Sequence, residues 1–279
     1  MPLETTAKNP ITPRVKPNGD EGFREAGTVV RYFGDTTLSF EAYMHLILLP
    51  GMDGTGQLFG PLLRAFPPGL VATVVAYPPD MPCGYAELLS LAVAAVPDGG
   101  EFLVLGESFS GPLAILLAAR QPPGLRGVIL CASFARSPLP AFARWLRGLI
   151  RPFWFRALPW TLLRRGLLGR FDTAPLTQMV ETAIIGVQPA VLAARARAIL
   201  AVDVGVQLQS CPVPILYLAA TEDRLVSRKN LAHIKRLQPR VNAVALVGPH
   251  LLLQVAPKEA AEAIQAFAAY CQSPNQGCR

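Results

Sequence analysis

Ser108 is the residue of this chain best placed by its neighbours to do chemistry. The segment LVLGESFSG, residues 103–111, reads as an apolar strand that ends at Leu105 and runs into a helix opening near Phe109. The tight turn this forces lifts the Ser108 hydroxyl off the end of a sheet. Gly106, Glu107 and Ser110 complete the elbow; Gly106 and Ser110 occupy the positions where strand and helix converge, so only small side chains fit there. A serine hydroxyl is a weak nucleophile until a base takes its proton. Three histidines could serve. His45 precedes a strand and His233 lies inside the helical run NLAHIKRL, whereas His250 sits in the loop GPHLLLQVAP between a strand and the last helix. His250 is the expected base. A carboxylate must hold its second ring nitrogen, and Asp223, in TEDRLV after the strand ILYLAA, is expected to do so; the adjacent Glu222 and the more remote Asp203 are the alternatives.

These residues need a sheet to bring them together. Apolar runs predict strands at 29–33, 38–43, 46–49, 71–76, 102–105 and 127–131, then at 215–219 and 241–247, with helices between most of them. Strand–helix alternation of this kind gives a mostly parallel, eight-stranded sheet flanked by helices. Two stretches break the rhythm. Residues 1–24 carry four prolines without periodicity and are expected to form a flexible arm, and residues 137–211 are too long for a bare connection and read as an inserted helical cap. That leaves 25–136 and 212–271 as the core.

The loop LLPGMDGTG, residues 48–56, leaves the end of one strand with glycines at 51, 54 and 56, which let backbone approach a reacting group closely. Together with GESFS and the order serine, aspartate, histidine, the chain resembles the α/β-hydrolase fold family, specifically serine esterases and lipases with a helical cap, over roughly residues 28–270. The resemblance implies catalysis by Ser108, Asp223 and His250. It implies an oxyanion hole from the Met52 and Phe109 N–H groups, carried by a loop of Gly51, Asp53 and Gly54. Two departures stand out: Ser110 replaces the usual glycine, which predicts a slightly wider elbow, and Pro50 replaces a common histidine, which leaves Asp53 as the expected brace of the loop. PGMDGTG with Phe59, and GPHLLLQ, also resemble bacterial esterases related to plant phytyl or diacylglycerol acyltransferases.

The expected activity is hydrolysis of small to medium apolar carboxylic esters through an acyl-enzyme. Acyl transfer to an alcohol, and a catalytically inactive binding protein on the same scaffold, are the alternatives. No cofactor and no metal is expected, since the glycine loop lacks a P-loop lysine or a GxGxxG helix opening and the histidines have no ligand spacing. A net charge of +7 admits nucleic acid, yet the arginines alternate with Leu, Trp and Phe rather than forming an RNA- or DNA-reading pattern. The arginine-rich cap leaves peripheral contact with an anionic membrane open. No membrane span is expected, and with no apolar leader in MPLETTAKNP the expected compartment is cytoplasmic.

Overall fold

The computed structural model describes residues 14–15, 29–33, 44–67, 71–157 and 159–273. Six strands build the sheet: β1 His45–Leu49, β2 Val71–Val75, β3 Phe102–Glu107, β4 Leu125–Cys131, β5 Ile215–Ala220 and β6 Asn242–Leu246. They lie in the order β2-β1-β3-β4-β5-β6, and every neighbouring pair is parallel. This corrects the expected eight-stranded sheet to a six-stranded one. Val29–Phe33 pairs antiparallel with β2, and the two-residue Arg14–Val15 pairs with that segment in turn, so the hydrogen-bonded ladder reaches eight segments only by counting this border. The expected strand at 38–43 lies outside the described residues, as does the arm apart from Arg14 and Val15.

Helices α1 Gly60–Ala65, α2 Tyr85–Ala94 and α3 Gly111–Ala119 link β1 through β4. Between β4 and β5 come a 3-10 helix, Ala141–Leu149, and α4 Pro152–Ala157, α5 Trp160–Leu167, α6 Ala174–Ile185, α7 Pro189–Ala201 and α8 Gly205–Gln209. Then α9 Arg228–Leu237 joins β5 to β6, and α10 Leu252–Val255 and α11 Pro257–Gln272 follow. Side chains alternate across each strand. Ile47, Leu49 and Val104 therefore join the core under α2 and α3, while Leu46, Leu48 and Leu105 join the core against Leu62, Leu253 and Phe267. Burial on both faces explains why β1 to β5 read as nearly unbroken apolar runs, whereas the edge strand β6 has Asn242 and Ala245 exposed.

The helical insertion packs down onto the carboxyl edge of the sheet. Leu168, Val180 and Ala183 meet Leu58 and Leu251, and Val187, Val191 and Leu192 meet Met52 and Phe155. Among the described residues no single helix is long and apolar enough to cross a membrane, and no three His, Cys, Asp or Glu side chains cluster to hold a metal ion.

Candidate active site

In a parallel sheet the loops that leave the carboxyl ends of the strands share one edge. Ser108 follows β3, the Asp223 loop follows β5 and the His250 loop follows β6, so three stretches far apart in sequence converge there. Ser108 has φ +49°, in the left-handed region that non-glycine residues adopt at a cost of about 1 kcal/mol or more. The strand before it and the helix after it leave no other path. A Cβ on Gly106 would stand 2.3 Å from the Ser110 carbonyl oxygen, which is why a residue without a side chain precedes the elbow.

Ser108 Oγ lies 2.8 Å from His250 Nε2, and His250 Nδ1 lies 2.9 Å from Asp223 Oδ2. The other Asp223 oxygen accepts from the Leu225 and Val226 N–H groups, both at 2.8 Å. Those two donors lock the carboxylate. A carboxylate can only accept, so Nδ1 carries the imidazole proton and Nε2 presents its lone pair to the serine. With His250 only 4% exposed, the relay is shielded from competing water. The geometry is that of a serine nucleophile, a histidine base and an aspartate that steadies it.

The rival residues lie away from the relay. His45 Nε2 bonds the Thr73 hydroxyl at 2.6 Å, and His233 lies on α9, where burial lowers its pKa. Glu222 forms an exposed ion pair with Arg170 at 2.5 Å, and Asp203 Oδ1 accepts from the Gly205 N–H at 3.0 Å.

The loop carrying Gly51, Met52, Asp53 and Gly54 is held by Ser110, by Asp53 and by one residue that the sequence did not single out, Arg195. Ser110 donates to the Pro50 carbonyl; its one proton is thereby spent, so the 2.6 Å contact with Tyr77 has the tyrosine as donor. The serine in place of glycine thus ties the elbow to the loop. Asp53 closes the loop on itself, its Oδ2 accepting from the Thr55 N–H at 2.9 Å and from the Thr55 hydroxyl at 2.6 Å. Arg195, on α7, is fully buried. Its Nη1 donates to the Met52 carbonyl at 2.9 Å and the Asp53 carbonyl at 2.7 Å, its Nη2 donates to the Pro78 carbonyl at 3.0 Å, and its guanidinium carbon lies 5.5 Å from the Tyr77 ring centre. Burial lowers its pKa, and the nearby Asp53 charge counters that shift. A Cβ on Gly54, which has φ +71°, would stand 2.5 Å from Arg195 Nη1, so this glycine is needed for both its backbone and its missing side chain. Phe109 stacks on Tyr85 at 4.8 Å, and the Tyr85 hydroxyl donates to the Phe109 carbonyl at 2.8 Å.

Glu107 points into the core beside the nucleophile, where Gln254 Nε2 donates to it at 3.1 Å and to the Leu58 carbonyl at 3.0 Å. Burial pushes its carboxyl up from 4.5 to about 7, with Asp53 reinforcing the rise and Gln254 and His250 opposing it. The folded state therefore keeps a proton that the unfolded chain releases near 4.5. Between those values stability falls as pH rises, by up to about 3 kcal/mol, and is level above them. Glu107→Gln should remove most of that fall when denaturant midpoints at pH 5 and pH 8 are compared. An unchanged fall in the variant would assign the pH dependence to other groups.

Compared by sequence, the chain matches no family model and no curated protein. Its fold is shared with solved structures at low identity. A lipase-esterase related protein from Clostridium acetobutylicum superimposes with a TM-score of 0.70 at 17% identity, covering 87% of this chain and 100% of that one. A thermophilic esterase from Thermogutta terrifontis gives 0.70 at 17% identity over 88% and 94% of the two chains. MenH from S. aureus gives 0.72 at 14% identity over 88% and 99%. The chain has the α/β-hydrolase fold. With its Ser108–His250–Asp223 relay, the site is that of a serine hydrolase.

Proposed function

We propose that the protein is a carboxylic ester hydrolase acting on small to medium apolar esters through an acyl-enzyme. The observation that carries this reading is the 2.8 Å and 2.9 Å relay from Ser108 through His250 to Asp223. His250 takes the serine proton as Oγ attacks the ester carbonyl, then returns it to the departing alcohol; water, activated by the same imidazole, releases the acid. The Met52 and Phe109 N–H groups are assigned to the oxyanion, the first on a loop that Ser110 and Arg195 hold still before substrate arrives and the second at the elbow. Met52 packs against Val187, Val191 and Leu192, which supports an apolar acyl chain beside the serine, since unmatched polar groups are costly in such surroundings. Esterases among the solved structures of this fold are in line with the reading.

The same proposal takes 25–136 and 212–271 as the catalytic core and 137–211 as a cap that covers it, supported by the helices lying between Cys131 and Ile215. A cytoplasmic site of action is part of it, in keeping with four buried, unpaired thiols at Cys83, Cys131, Cys211 and Cys271.

A fluorophosphonate probe followed by peptide mapping tests the assignment. One adduct is expected, on the peptide containing Ser108, and p-nitrophenyl ester hydrolysis should fall in step with labelling. An adduct on another residue, or none on folded protein, would refute the proposal. Both hydrolysis and transfer resolve the same acyl-enzyme, so a chain-length series of p-nitrophenyl esters run with and without a long-chain alcohol separates them by whether free acid or a new ester accumulates.

A further inference from the structure

The first part of the insertion spends its inward side on the core and leaves a second apolar side in water. Ala143 is buried, and Phe155 packs against Val191 and Leu192. Yet Phe142, Trp145, Leu149, Phe153, Trp154 and Leu162 are 59–77% exposed. Single exposed apolar side chains are ordinary on a protein surface; six large ones within 21 residues, on three successive helices, are not. Between residues 139 and 171 there are seven arginines and no Asp or Glu. Arg164 and Arg170 pair with Asp172 and Glu222, whereas Arg144, Arg147, Arg151, Arg156 and Arg165 are exposed and take part in none of the ion pairs among the described residues.

The two chemistries are sorted along the helices. In a 3-10 helix every third residue falls in one row, so across Ala141–Leu149 the aromatic pair Phe142 and Trp145 forms one row and Arg144 and Arg147 another. Arg144 also lies over the Trp145 ring at 5.5 Å. Trp154 donates its indole N–H to the Leu149 carbonyl at 3.1 Å and meets Phe153 edge-on at 6.0 Å, so the exposed rings are held in place rather than loose. Fixed aromatic and aliphatic side chains beside unpaired arginines are the makings of an interfacial surface, with rings at headgroup depth and guanidinium groups against phosphates.

We propose that this face, Ala141–Leu149 with α4 and the start of α5, docks the protein on an anionic lipid surface. Charge complementarity selects the lipid's sign. The aliphatic Leu149 and Leu162, which offer a nucleobase no stacking plane, favour lipid over nucleic acid. Docking does not depend on the catalytic reading, so Ser108→Ala protein should dock as wild type does.

The test is vesicle co-sedimentation of the full chain with equal parts phosphatidylglycerol and phosphatidylcholine, against phosphatidylcholine alone. All three tryptophans, Trp145, Trp154 and Trp160, lie in the insertion, so intrinsic emission reports on this face. The expected result is capture and a blue shift with anionic vesicles only. Arg144→Glu with Arg147→Glu should weaken capture at least about tenfold, and Trp145→Ser should remove much of the blue shift, with p-nitrophenyl ester turnover in solution kept as the sign of a folded chain. Three outcomes would overturn the proposal. They are capture equal on neutral and anionic vesicles, loss of capture to a competing single-stranded oligonucleotide, and self-association that Trp145→Ser abolishes while vesicles bind neither protein.

Discussion

Ser108→Ala protein is expected to lose ester turnover by about 10⁴-fold or more while unfolding within about 1 kcal/mol of wild type. The first half follows from the relay. Without Oγ there is no acyl-enzyme, and Asp223 is left steadying a base, His250, that has lost its serine proton to take. What survives is the rate that binding and the N–H groups assigned to the oxyanion supply to attack by water. The second half follows from the packing. The hydroxyl makes its bond to His250 at a half-buried position, and the backbone strain at φ +49° is present whether the side chain is serine or alanine. Steady-state kinetics on a p-nitrophenyl ester together with a denaturant titration check both halves. Turnover within tenfold of wild type would place the nucleophile elsewhere.

The triad was legible because each member sits in a local pattern that chemistry constrains. An elbow needs small residues around Ser108, a base must sit in a loop that can turn toward it, and Asp223 follows an apolar strand whose end is fixed by the sheet. The residues that hold the loop at 51–54 carry no such pattern. Arg195 lies in the run AARARAIL beside Arg197, and only the packed helix shows that one is buried while the other is half-buried and bonds the Ile150 carbonyl. The nearest sequence signal was Gly54, whose missing side chain makes room for the guanidinium, but a glycine in a loop reads equally as a turn. Ser110 was read as a departure tolerated by the elbow; its bonds to Pro50 and Tyr77 join segments 60 and 33 residues away, which no local spacing reveals. The strand count failed at the amino-terminal border. Five of the six parallel strands are buried on both faces and so read as apolar runs; at the border only Val29–Phe33 is both expected and found paired, and the expected 38–43 lies outside the described residues.

Arg195→Met is the second change expected to have a large effect, and it tests whether the insertion does more than cover the site. Methionine keeps much of the apolar stem's volume and removes all three donors. The Met52, Asp53 and Pro78 carbonyls then lose their partners in a buried setting, at about 1–3 kcal/mol for each that water cannot reach, offset in part by relief from burying a cation. The cost should not be confined to stability. Two of those carbonyls flank the peptide units that aim the loop's N–H groups, and an oxyanion donor misplaced by an ångström gives up about 10²-fold in rate. The expected signature is therefore a kcat reduced about 10²-fold with KM within a few-fold, in protein whose circular dichroism remains native. Arg195→Lys should recover part of the rate, since one ammonium can serve the two adjacent loop carbonyls but not Pro78 as well. A merely structural arginine would lower the denaturant midpoint in both variants and leave kcat of the folded fraction unchanged. That result would separate the insertion's hold on the fold from any hold on the chemistry.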